Sequence, residues 1–429
     1  MALLLKGGRV VDAAAELDAV LDVLVVDGVI AGVGEELDAP GAEIIDCAEK
    51  IILPGLADIH VHLREPGQEY KETIASGTRA AAHGGFTAVA CMPNTKPVCD
   101  SGSKVRFVVE RAAADGVVRV YPIGAITAGQ TGEQLAEIGD MIAEGAVAFS
   151  DDGHGVQSAG MTRVAMDYVK RFGAPLIAHC EDESLAGDGV VNEGVVSTRM
   201  GMRGIPAAAE ETMVARDIAL AELTGCRLHL AHLSTARSLA LVREAKARGT
   251  AVTCEVTPHH LFLDEDDLVT YDTNLKMNPP LRTAADREAL VAGLLDGTVD
   301  AIATDHAPHA VHEKELEFEL SPNGTTGLET ALSLVNTHLV AKDVLDWAAV
   351  TRLMCHGPRA AANLPEMRLE AGFPADITIV DPEARVEVTA EWFESRSRNS
   401  AFLGQSLLGR ASDVLVGGEW VVRKSKVIA

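Results

Sequence analysis

Hydrophobic residues in the central part of the chain fall into short apolar runs, and each run is followed by a longer segment with helical periodicity. Short apolar runs bounded by turn residues are typical of buried strands. The eight runs cover residues 51–57, 87–91, 118–123, 146–149, 175–178, 228–231, 251–256 and 301–304. Eight successive strand–helix units predict an α/β protein with a TIM-like (β/α)8 barrel. An open, doubly wound sheet is the alternative, but no GxGxxG motif follows the first run.

The two ends of the chain show a different pattern, with short apolar runs, Gly or Pro between them, and no helical periodicity. Asp27-Gly28 lies between two such runs and is a strong signal for a two-residue hairpin turn. Because each end is too small for a good core of its own, we expect the two ends to pack on each other. The sequence therefore predicts a small β-sandwich domain formed by residues 1–54 and 365–429, beside a barrel formed by residues 55–364.

The 429 residues carry a formal net charge of −26, and 47% of them are hydrophobic, which is the balance of an ordinary globular protein. This charge repels a polyanion, so we expect no nucleic-acid partner, and an anionic substrate must meet a local cluster of positive charge. No apolar run reaches the roughly 18 to 20 residues needed to cross a bilayer, so we expect no membrane association. The seven cysteines contain no CxxC pair, which is typical of reduced thiols in a cytoplasmic protein.

Side chains that bind metals follow several of the apolar runs, at the end of the strands where catalytic residues of a parallel barrel lie. Successive side chains along a strand point to opposite faces, so His60 and His62, which are two residues apart in the first strand, point to the same side. The other candidates follow the fourth, fifth, sixth and eighth strands, and are Asp151 or Asp152, His179, His232 and Asp305. Four imidazoles and two carboxylates form a ligand set for two divalent metals that share one carboxylate. Nitrogen and oxygen ligands without thiolate favour zinc, and they are also compatible with Mn, Co or Fe.

Arg64 continues the same face of the first strand, two residues after His62. Its guanidinium is a planar fork that suits a carboxylate. In a chain with such a negative net charge, Arg64 is a candidate for the positive group that an anionic substrate requires.

The segments at these strand ends resemble those of one enzyme family. They are DIHVHLREPG, MPNT, SDDG, AHCED, AHLST, CEVTPHHL, MNPPLR and ATDHAPH. Together they resemble the dihydroorotases of the amidohydrolase superfamily, and most closely the bacterial class in which an aspartate replaces a carbamylated lysine. LPGLADIH and FPADITIVDP extend the resemblance to the β domain. It implies an enzyme that interconverts N-carbamoyl-L-aspartate and L-dihydroorotate in pyrimidine biosynthesis.

The resemblance also implies a role for each metal-binding candidate. His60 and His62 would bind a buried first metal ion, and His179 and His232 would bind a second. Asp305 would be a ligand of the first ion and the proton shuttle. The cofactor would be Zn²⁺, with one or two ions per subunit.

Related hydantoinases, allantoinases and some dihydroorotases have a carbamylated lysine at the end of strand four. This chain has no lysine in the corresponding segment, residues 145–152. Adjacent side chains cannot both face the metals, and the motif match favours Asp152 over Asp151 as the bridging ligand.

The resemblance places six further residues in contact with the substrate. Arg64, Asn94 and His309 would hold its carboxylate. Asn278 would hold the edge of the pyrimidine ring, and the turn at Asn323 and Gly324 would contact the ring through its backbone.

Two alternative functions stay open at this point. A hydantoinase or allantoinase would use the same metals, but the missing lysine and the pair Arg64 and Asn94 argue against it. A non-catalytic scaffold for aspartate transcarbamoylase is the second alternative, although such homologues lose metal ligands and this chain keeps all six. A homodimer and an association with aspartate transcarbamoylase are expected from the resemblance only.

Overall fold

The first strands of the protein belong to a β domain, as seen in a computed structural model that describes residues 2–429. These strands are β1 (Ala2–Asp12), β2 (Leu17–Val26), β3 (Val29–Gly34), β4 (Glu43–Asp46) and β5 (Ile51–Pro54). Asp27 and Gly28 connect β2 to β3, and Val26 pairs with Val29. Both turn residues have positive φ angles, 48° and 83°, as the predicted hairpin turn requires. The hairpin prediction is confirmed.

A barrel of parallel strands forms the centre of the molecule. Its region contains β6 (Leu56–Val61), β7 (Phe86–Cys91), β8 (Arg119–Gly124), β9 (Ala148–Ser150), β10 (Leu176–Ala178), β11 (Val191–Asn192), β12 (Gly204–Ile205), β13 (Leu228–Leu230), β14 (Val252–Val256) and β15 (Ala301–Ile302). Eight strands pair in the order β15-β14-β13-β10-β9-β8-β7-β6, while β11 and β12 pair with each other. A parallel bridge between Val61 and His306 joins the two edges and closes the barrel. The predicted (β/α)8 barrel is confirmed.

Helices cover the outside of the barrel and complete its loops. They are α1 (Ile74–His83), α2 (Gly102–Asp115), α3 (Ile138–Ala143), α4 (Ala159–Val169), α5 (Glu183–Ala186), α6 (Val195–Met200), α7 (Ala208–Thr224), α8 (Ala236–Ala247), α9 (Pro258–Phe262), α10 (Ala284–Leu295), α11 (Val311–Lys314), α12 (Ala331–Val335), α13 (Trp347–Thr351) and α14 (Gly357–Ala361). Thr73 and Ser76 form a capping box at the start of α1, and Thr283 and Asp286 form another at α10. These reciprocal bonds satisfy backbone N–H groups that a helix cannot pair itself.

The chain returns to the β domain through β16 (Ile377–Glu387), β17 (Ser406–Val416), β18 (Glu419–Arg423) and β19 (Lys426–Val427). The nine-stranded sheet joins both ends of the chain, because β5 pairs antiparallel with β16. Leu5, Ile52 and Ile377 belong to its buried core. The terminal β domain is thus present, and its division from the barrel at 54/55 and 364/365 stays a prediction.

All seven cysteines are buried thiols, with no disulfide among residues 2–429. Burial raises the pKa of the Cys47 and Cys91 thiols to about 12, so both are protonated at neutral pH. In the part of the chain that the structure describes, no helix combines the length and the apolar character that spanning a membrane requires.

Candidate active site

The six predicted metal ligands meet at the carboxyl ends of the barrel strands. We call them the histidine–aspartate cluster, and they are His60, His62, Asp152, His179, His232 and Asp305. The carboxylate of Asp152 lies at the centre, with Oδ1 3.3 Å from His60 Nε2 and 3.5 Å from both His179 Nδ1 and His232 Nε2. Its other oxygen, Oδ2, lies 3.5 Å from His62 Nε2. Both pairs of histidines therefore face the same carboxylate.

Asp305 faces the first pair of histidines from the end of the eighth strand. Its Oδ1 lies 3.0 Å from His62 Nε2 and 3.6 Å from His60 Nε2. The ligand atoms of His60, His62 and Asp305 lie within 4.8 Å of one another, as do those of His60, Asp152 and His232. Two overlapping groups of this kind have the arrangement expected for neighbouring cations.

The chemistry of the donor atoms fits a cation. His60 Nδ1 lies 2.6 Å from a Glu255 oxygen and His62 Nδ1 lies 2.8 Å from Asn94 Oδ1, so both Nδ1 atoms donate. In the neutral form of these rings, the Nε2 lone pairs then face the oxygens of Asp152 and Asp305. His60 Nε2 and Asp152 Oδ1 are buried and find no hydrogen-bond partner within residues 2–429. A lone pair that faces a carboxylate is stabilised only when positive charge lies between them.

Neighbouring charges stabilise the ionised forms of these residues. Burial disfavours a charged His60 ring, but the carboxylates of Asp152 and Glu255 outweigh it and raise its pKa well above the usual value. Burial likewise opposes a charged Asp152, yet the surrounding histidines hold the pKa of that carboxyl well below its usual range. The cluster therefore has a strong affinity for positive charge, which protons or divalent cations can supply.

The two adjacent aspartates after strand four point to different places. Asp151 Oδ1 accepts hydrogen bonds from the backbone N–H groups of Ile126 and Thr127, at 2.8 and 3.1 Å. The Thr127 hydroxyl donates to its Oδ2. Asp151 thus holds the loop after strand three, and of the two aspartates only Asp152 lies among the histidines.

Glu255 lies directly behind the cluster, and the sequence analysis did not identify it. One of its oxygens accepts from His60 Nδ1 and the other lies 3.1 Å from His229 Nε2. Burial opposes its ionisation, but His60 and His229 hold the pKa of this carboxyl well below its ordinary value. A carboxylate behind a ligating histidine fixes the tautomer and orients the ring. The available signal was a glutamate inside the short strand β14, whose residues 254–256 are all buried.

A cavity of about 390 Å³ opens above the cluster. Its walls include all six predicted substrate contacts, which are Arg64, Asn94, Asn278, His309, Asn323 and Gly324. Four more lining residues were not predicted, and these are Gly153, His154, Ala307 and Pro322. The structure thus brings the predicted metal ligands and the predicted substrate contacts into one site.

Arg64 places a buried positive charge in the wall of this cavity. Its side chain donates from Nε to the carbonyl of Pro308 at 3.2 Å and lies 3.4 Å from His309 Nε2. Only 9% of the residue is exposed, and no carboxylate in the described chain forms an ion pair with it. Burial lowers its pKa, but guanidinium stays charged at neutral pH. A buried cation of this kind is stabilised by an anionic ligand.

Two amide side chains keep hydrogen-bonding groups free for a ligand. Because Asn94 Oδ1 accepts from His62, its NH₂ group is the part left to donate to a ligand. Asn278 has the opposite arrangement, since its Oδ1 is buried and has no partner in the described part of the chain. The cavity therefore offers a donor from Asn94 and an acceptor from Asn278, in addition to the charge of Arg64.

Three residues of the site have backbone conformations that only glycine adopts easily. The φ angles are 60° for Arg64, 32° for His232 and 46° for Asp305. Positive φ in a residue with a Cβ atom destabilises the folded state by about 1 to 3 kcal/mol and concentrates at functional sites. The surrounding barrel therefore holds these three side chains in place against a local preference.

Residues 319–324, which we call the substrate loop, form one side of the cavity. Their carbonyl groups accept hydrogen bonds from side chains. Lys276 Nζ donates to the carbonyls of residues 319 and 321, at 2.8 and 2.7 Å. Lys314 Nζ donates to that of Pro322 at 2.8 Å, and His309 Nε2 lies 2.8 Å from that of Asn323. The two lysines have no carboxylate partner among residues 2–429, and the sequence analysis missed both.

Comparison with known proteins identifies the family of this chain. A family model described as Dihydro-orotase-like matches residues 49–238. The chain is 53% identical over 428 residues to the dihydroorotase of Pelotomaculum thermopropionicum, covering 100% of both chains. It is 50% identical over 425 residues to the dihydroorotase of Geobacter metallireducens, covering 99% of this chain and 100% of that one.

Solved structures with the same fold include two hydantoinases. An L-hydantoinase (dihydropyrimidinase) from Arthrobacter aurescens superposes with a TM-score of 0.90 at 25% identity, covering 100% of this chain and 97% of that one. A D-hydantoinase from a Thermus species gives a TM-score of 0.86 at 25% identity, with 100% and 96% coverage. The fold is thus shared with hydantoinases, whereas about half of the residues are shared with dihydroorotases over the full length. The chain belongs to the dihydroorotase family of cyclic amidohydrolases.

Proposed function

We propose that this protein catalyses the reversible cyclisation of N-carbamoyl-L-aspartate to L-dihydroorotate and water, in the de novo synthesis of pyrimidines. The observation that carries the proposal is the buried Arg64 without a carboxylate partner, in the same cavity as the histidine–aspartate cluster. The cluster suits cleavage and formation of a cyclic amide, and the guanidinium selects a substrate that carries a carboxylate.

We assign the metal as Zn²⁺, with one or two ions per subunit. His60, His62 and Asp305 would hold the first ion, and His179 and His232 the second. Asp152 would bridge them. Support comes from the unpartnered nitrogen of His60 and oxygen of Asp152, and from a donor set of nitrogen and oxygen atoms that suits zinc. When bound, such ions polarise the substrate carbonyl and lower the pKa of a water molecule to about 7.

Asp305 is the proposed proton shuttle. In the hydrolytic direction a water oxygen attacks the ring carbonyl carbon between the ring CH₂ group and the ring nitrogen. Asp305 accepts a proton from that water and donates it to the ring nitrogen as the carbon–nitrogen bond breaks. In the direction of cyclisation the same carboxyl acts in reverse. Its position supports this role, because Asp305 lines the cavity and its Oδ1 lies 3.0 Å from His62 Nε2.

Arg64, Asn94 and His309 bind the substrate carboxylate. Arg64 supplies the charge, and Asn94 can donate from the NH₂ group that His62 does not use. His309 lies 3.4 Å from the Arg64 guanidinium and completes this wall of the cavity. A charged hydrogen bond in a buried site is about twice as strong as a neutral one, so this wall determines affinity.

Asn278 and the substrate loop bind the pyrimidine ring. The free Oδ1 of Asn278 suits a ring N–H group. Gly324 has a φ of 122°, and a Cβ atom there would lie 2.6 Å from Ala307 Cβ. The loop therefore needs glycine to pack closely against Ala307, and its backbone at this turn is the proposed contact to the ring.

Assays on three substrates test the proposed function. The purified enzyme is expected to turn over L-dihydroorotate far faster than hydantoin or allantoin, because only dihydroorotate offers a carboxylate to Arg64. If the enzyme turns over hydantoin or allantoin but does not turn over dihydroorotate, the proposal is refuted and the alternative of a hydantoinase or allantoinase is favoured.

Metal analysis tests the ligand assignment and the scaffold alternative. Protein purified without chelator is expected to contain zinc. Asp152→Asn is expected to lose most of it, whereas the matched Asp151→Asn should keep its metal and lower Tm, because Asp151 holds a loop. A wild-type protein almost free of metal would favour the scaffold, and equal metal loss in both variants would refute Asp152 as the bridge.

The expected homodimer, the association with aspartate transcarbamoylase and the cytoplasmic location stay predictions. Analytical ultracentrifugation, alone and with the transcarbamoylase, checks the first two. The site does not require them, since its proposed ligands come from one chain.

A further inference from the structure

The connection between β16 and β17 leaves the β domain and reaches the mouth of the barrel. Sequence analysis placed all of residues 365–429 in the β domain. In the structure, the Ser397 hydroxyl donates to the carbonyl of Lys71 at 2.7 Å, and the backbone of Thr326 donates to the carbonyl of Asn399 at 2.9 Å. This connection therefore contacts two segments that flank the substrate cavity.

Asn399 makes the most extensive contacts of this connection. Its Nδ2 group donates to the carbonyl of Ala307 at 3.0 Å and to that of Gly324 at 3.2 Å. Its Oδ1 accepts from the backbone N–H of His309 at 2.9 Å. Ala307, His309 and Gly324 all line the cavity, whereas Asn399 is 4% exposed and does not. One amide side chain thus joins the segment after strand eight to the substrate loop.

We propose that Asn399 is a positioning residue for substrate binding, because it sets the spacing between His309 and Gly324. The inference rests on the proposed function, since these residues face the carboxylate and ring of the substrate there. Asn399 makes no recorded hydrogen bond to the histidine–aspartate cluster. Its loss should therefore weaken binding and leave the chemical step nearly unchanged.

Asparagine suits this position because the three bonds need two donors and one acceptor on a single planar group. Aspartate has the same shape and keeps the acceptor for His309 N–H. It loses both donors, however, and brings a negative charge against the carbonyl oxygens of Ala307 and Gly324. Asn399→Asp is therefore the sharpest variant, because it preserves size and packing while removing the bonds that join the two segments.

Asn336 provides a matched control. It is buried and its Nδ2 donates to the carbonyl of Pro382 at 3.0 Å, which also links a helix region to the β domain. It does not line the substrate cavity. Asn336→Ala should lower Tm and leave KM for dihydroorotate unchanged.

The experiment compares Asn399→Ala, Asn399→Asp and Asn336→Ala in the full-length enzyme. The measurements are kcat and KM for L-dihydroorotate, the Kd for orotate, and Tm. For both Asn399 variants we expect KM and the orotate Kd to rise about 10- to 100-fold, with kcat within about threefold of wild type, because binding must then order the two segments that Asn399 holds in place.

Three outcomes would overturn the inference. If both Asn399 variants lower Tm as Asn336→Ala does and keep wild-type KM and Kd, Asn399 is only structural. If kcat falls while KM and Kd are unchanged, Asn399 acts on the chemical step instead. If the wild-type enzyme does not turn over dihydroorotate, both the proposed function and this inference are wrong. If the wild-type enzyme is active and the Asn399 variants have an unchanged KM, only the inference is wrong.

Discussion

The histidine–aspartate cluster and the substrate loop lie on the same cavity but are built in opposite ways. In the cluster the functional atoms belong to side chains, and barrel strands position them. In the loop, backbone carbonyls are held in place by side chains from elsewhere, including Lys276 and Lys314. In the proposed function, a change in the cluster therefore removes a reacting group, whereas a change around the loop alters only the shape of the binding wall. The first should affect kcat and the second KM.

Asp305→Ala tests the cluster side of this comparison and should have the largest effect. Loss of a general acid–base group lowers kcat by about 10²- to 10⁴-fold. The variant should remain folded, because Asp305 lies at the cavity rather than in a hydrophobic core. Steady-state kinetics with circular dichroism checks both points. A kcat near that of wild type would refute the proton-shuttle role.

Arg64→Met tests substrate binding, because methionine has a side chain of similar length and carries no charge. Because a hydrogen bond to a charged group contributes about 1.5 to 3 kcal/mol, kcat/KM for dihydroorotate should fall about 10- to 150-fold. Dihydrouracil, which lacks the carboxylate, is the matched substrate, and any turnover of it should not fall. An equal loss for both substrates would contradict selection by Arg64.

Glu255→Gln shows how far the cluster depends on a residue that touches no substrate. The amide can still accept from one histidine, but it lacks the charge that orients the rings of His60 and His229. Changes of this kind lower metal affinity or activity by about 10- to 100-fold. Metal titration with a competing chelator measures the affinity. Unchanged affinity and activity would show that Glu255 only fills space.

Substitution of Lys314 should have the smallest effect on activity. It tests the loop through the pH dependence of folding stability. Burial, with nearby Lys276, lowers its pKa to about 7, although Asp272 and Glu313 act in the opposite direction. In the unfolded chain the Lys314 ammonium group keeps its proton up to about pH 10.4. Between about pH 7 and pH 10.4 the unfolded chain therefore binds more protons than the folded protein. The stability of the folded state should therefore rise with pH across this window, and below about pH 7 the full destabilisation by the buried charge should remain.

Urea unfolding of wild type and Lys314→Met at about pH 6.5 and pH 9.5 measures this effect. The free energy of unfolding of wild type, minus that of the variant, should be larger at the higher pH. Lys246→Met is a useful control, because Lys246 forms an ion pair with Asp300 at 2.7 Å and its hydrogen bonds do not reach the loop. A difference that does not change with pH would contradict the titration of Lys314.

Local patterns in the sequence predicted the barrel, the hairpin at Asp27-Gly28 and the shared face of His60 and His62. The complete six-residue cluster, with Asp152 rather than Asp151, was predicted from the resemblance to dihydroorotases. The sequence did not predict Glu255, which lies within the short and mostly buried strand β14. It also missed Asn399, because its bonds reach backbone atoms as far as 92 residues away, and the sequence around Asn399 contains no pattern that indicates them. Residue types identify reacting groups, but contacts to backbone atoms can be assigned only in three dimensions.

The positive φ angles of Arg64, His232 and Asp305 have a consequence for protein engineering. A screen for heat resistance alone would favour glycine at these positions, because glycine adopts the same backbone angles without the steric penalty. Such variants would survive the screen and lose the proposed carboxylate contact, a proposed metal ligand or the proposed proton shuttle. Thermostable versions of this enzyme should therefore be sought in the β domain and the outer helices, with these three positions held fixed.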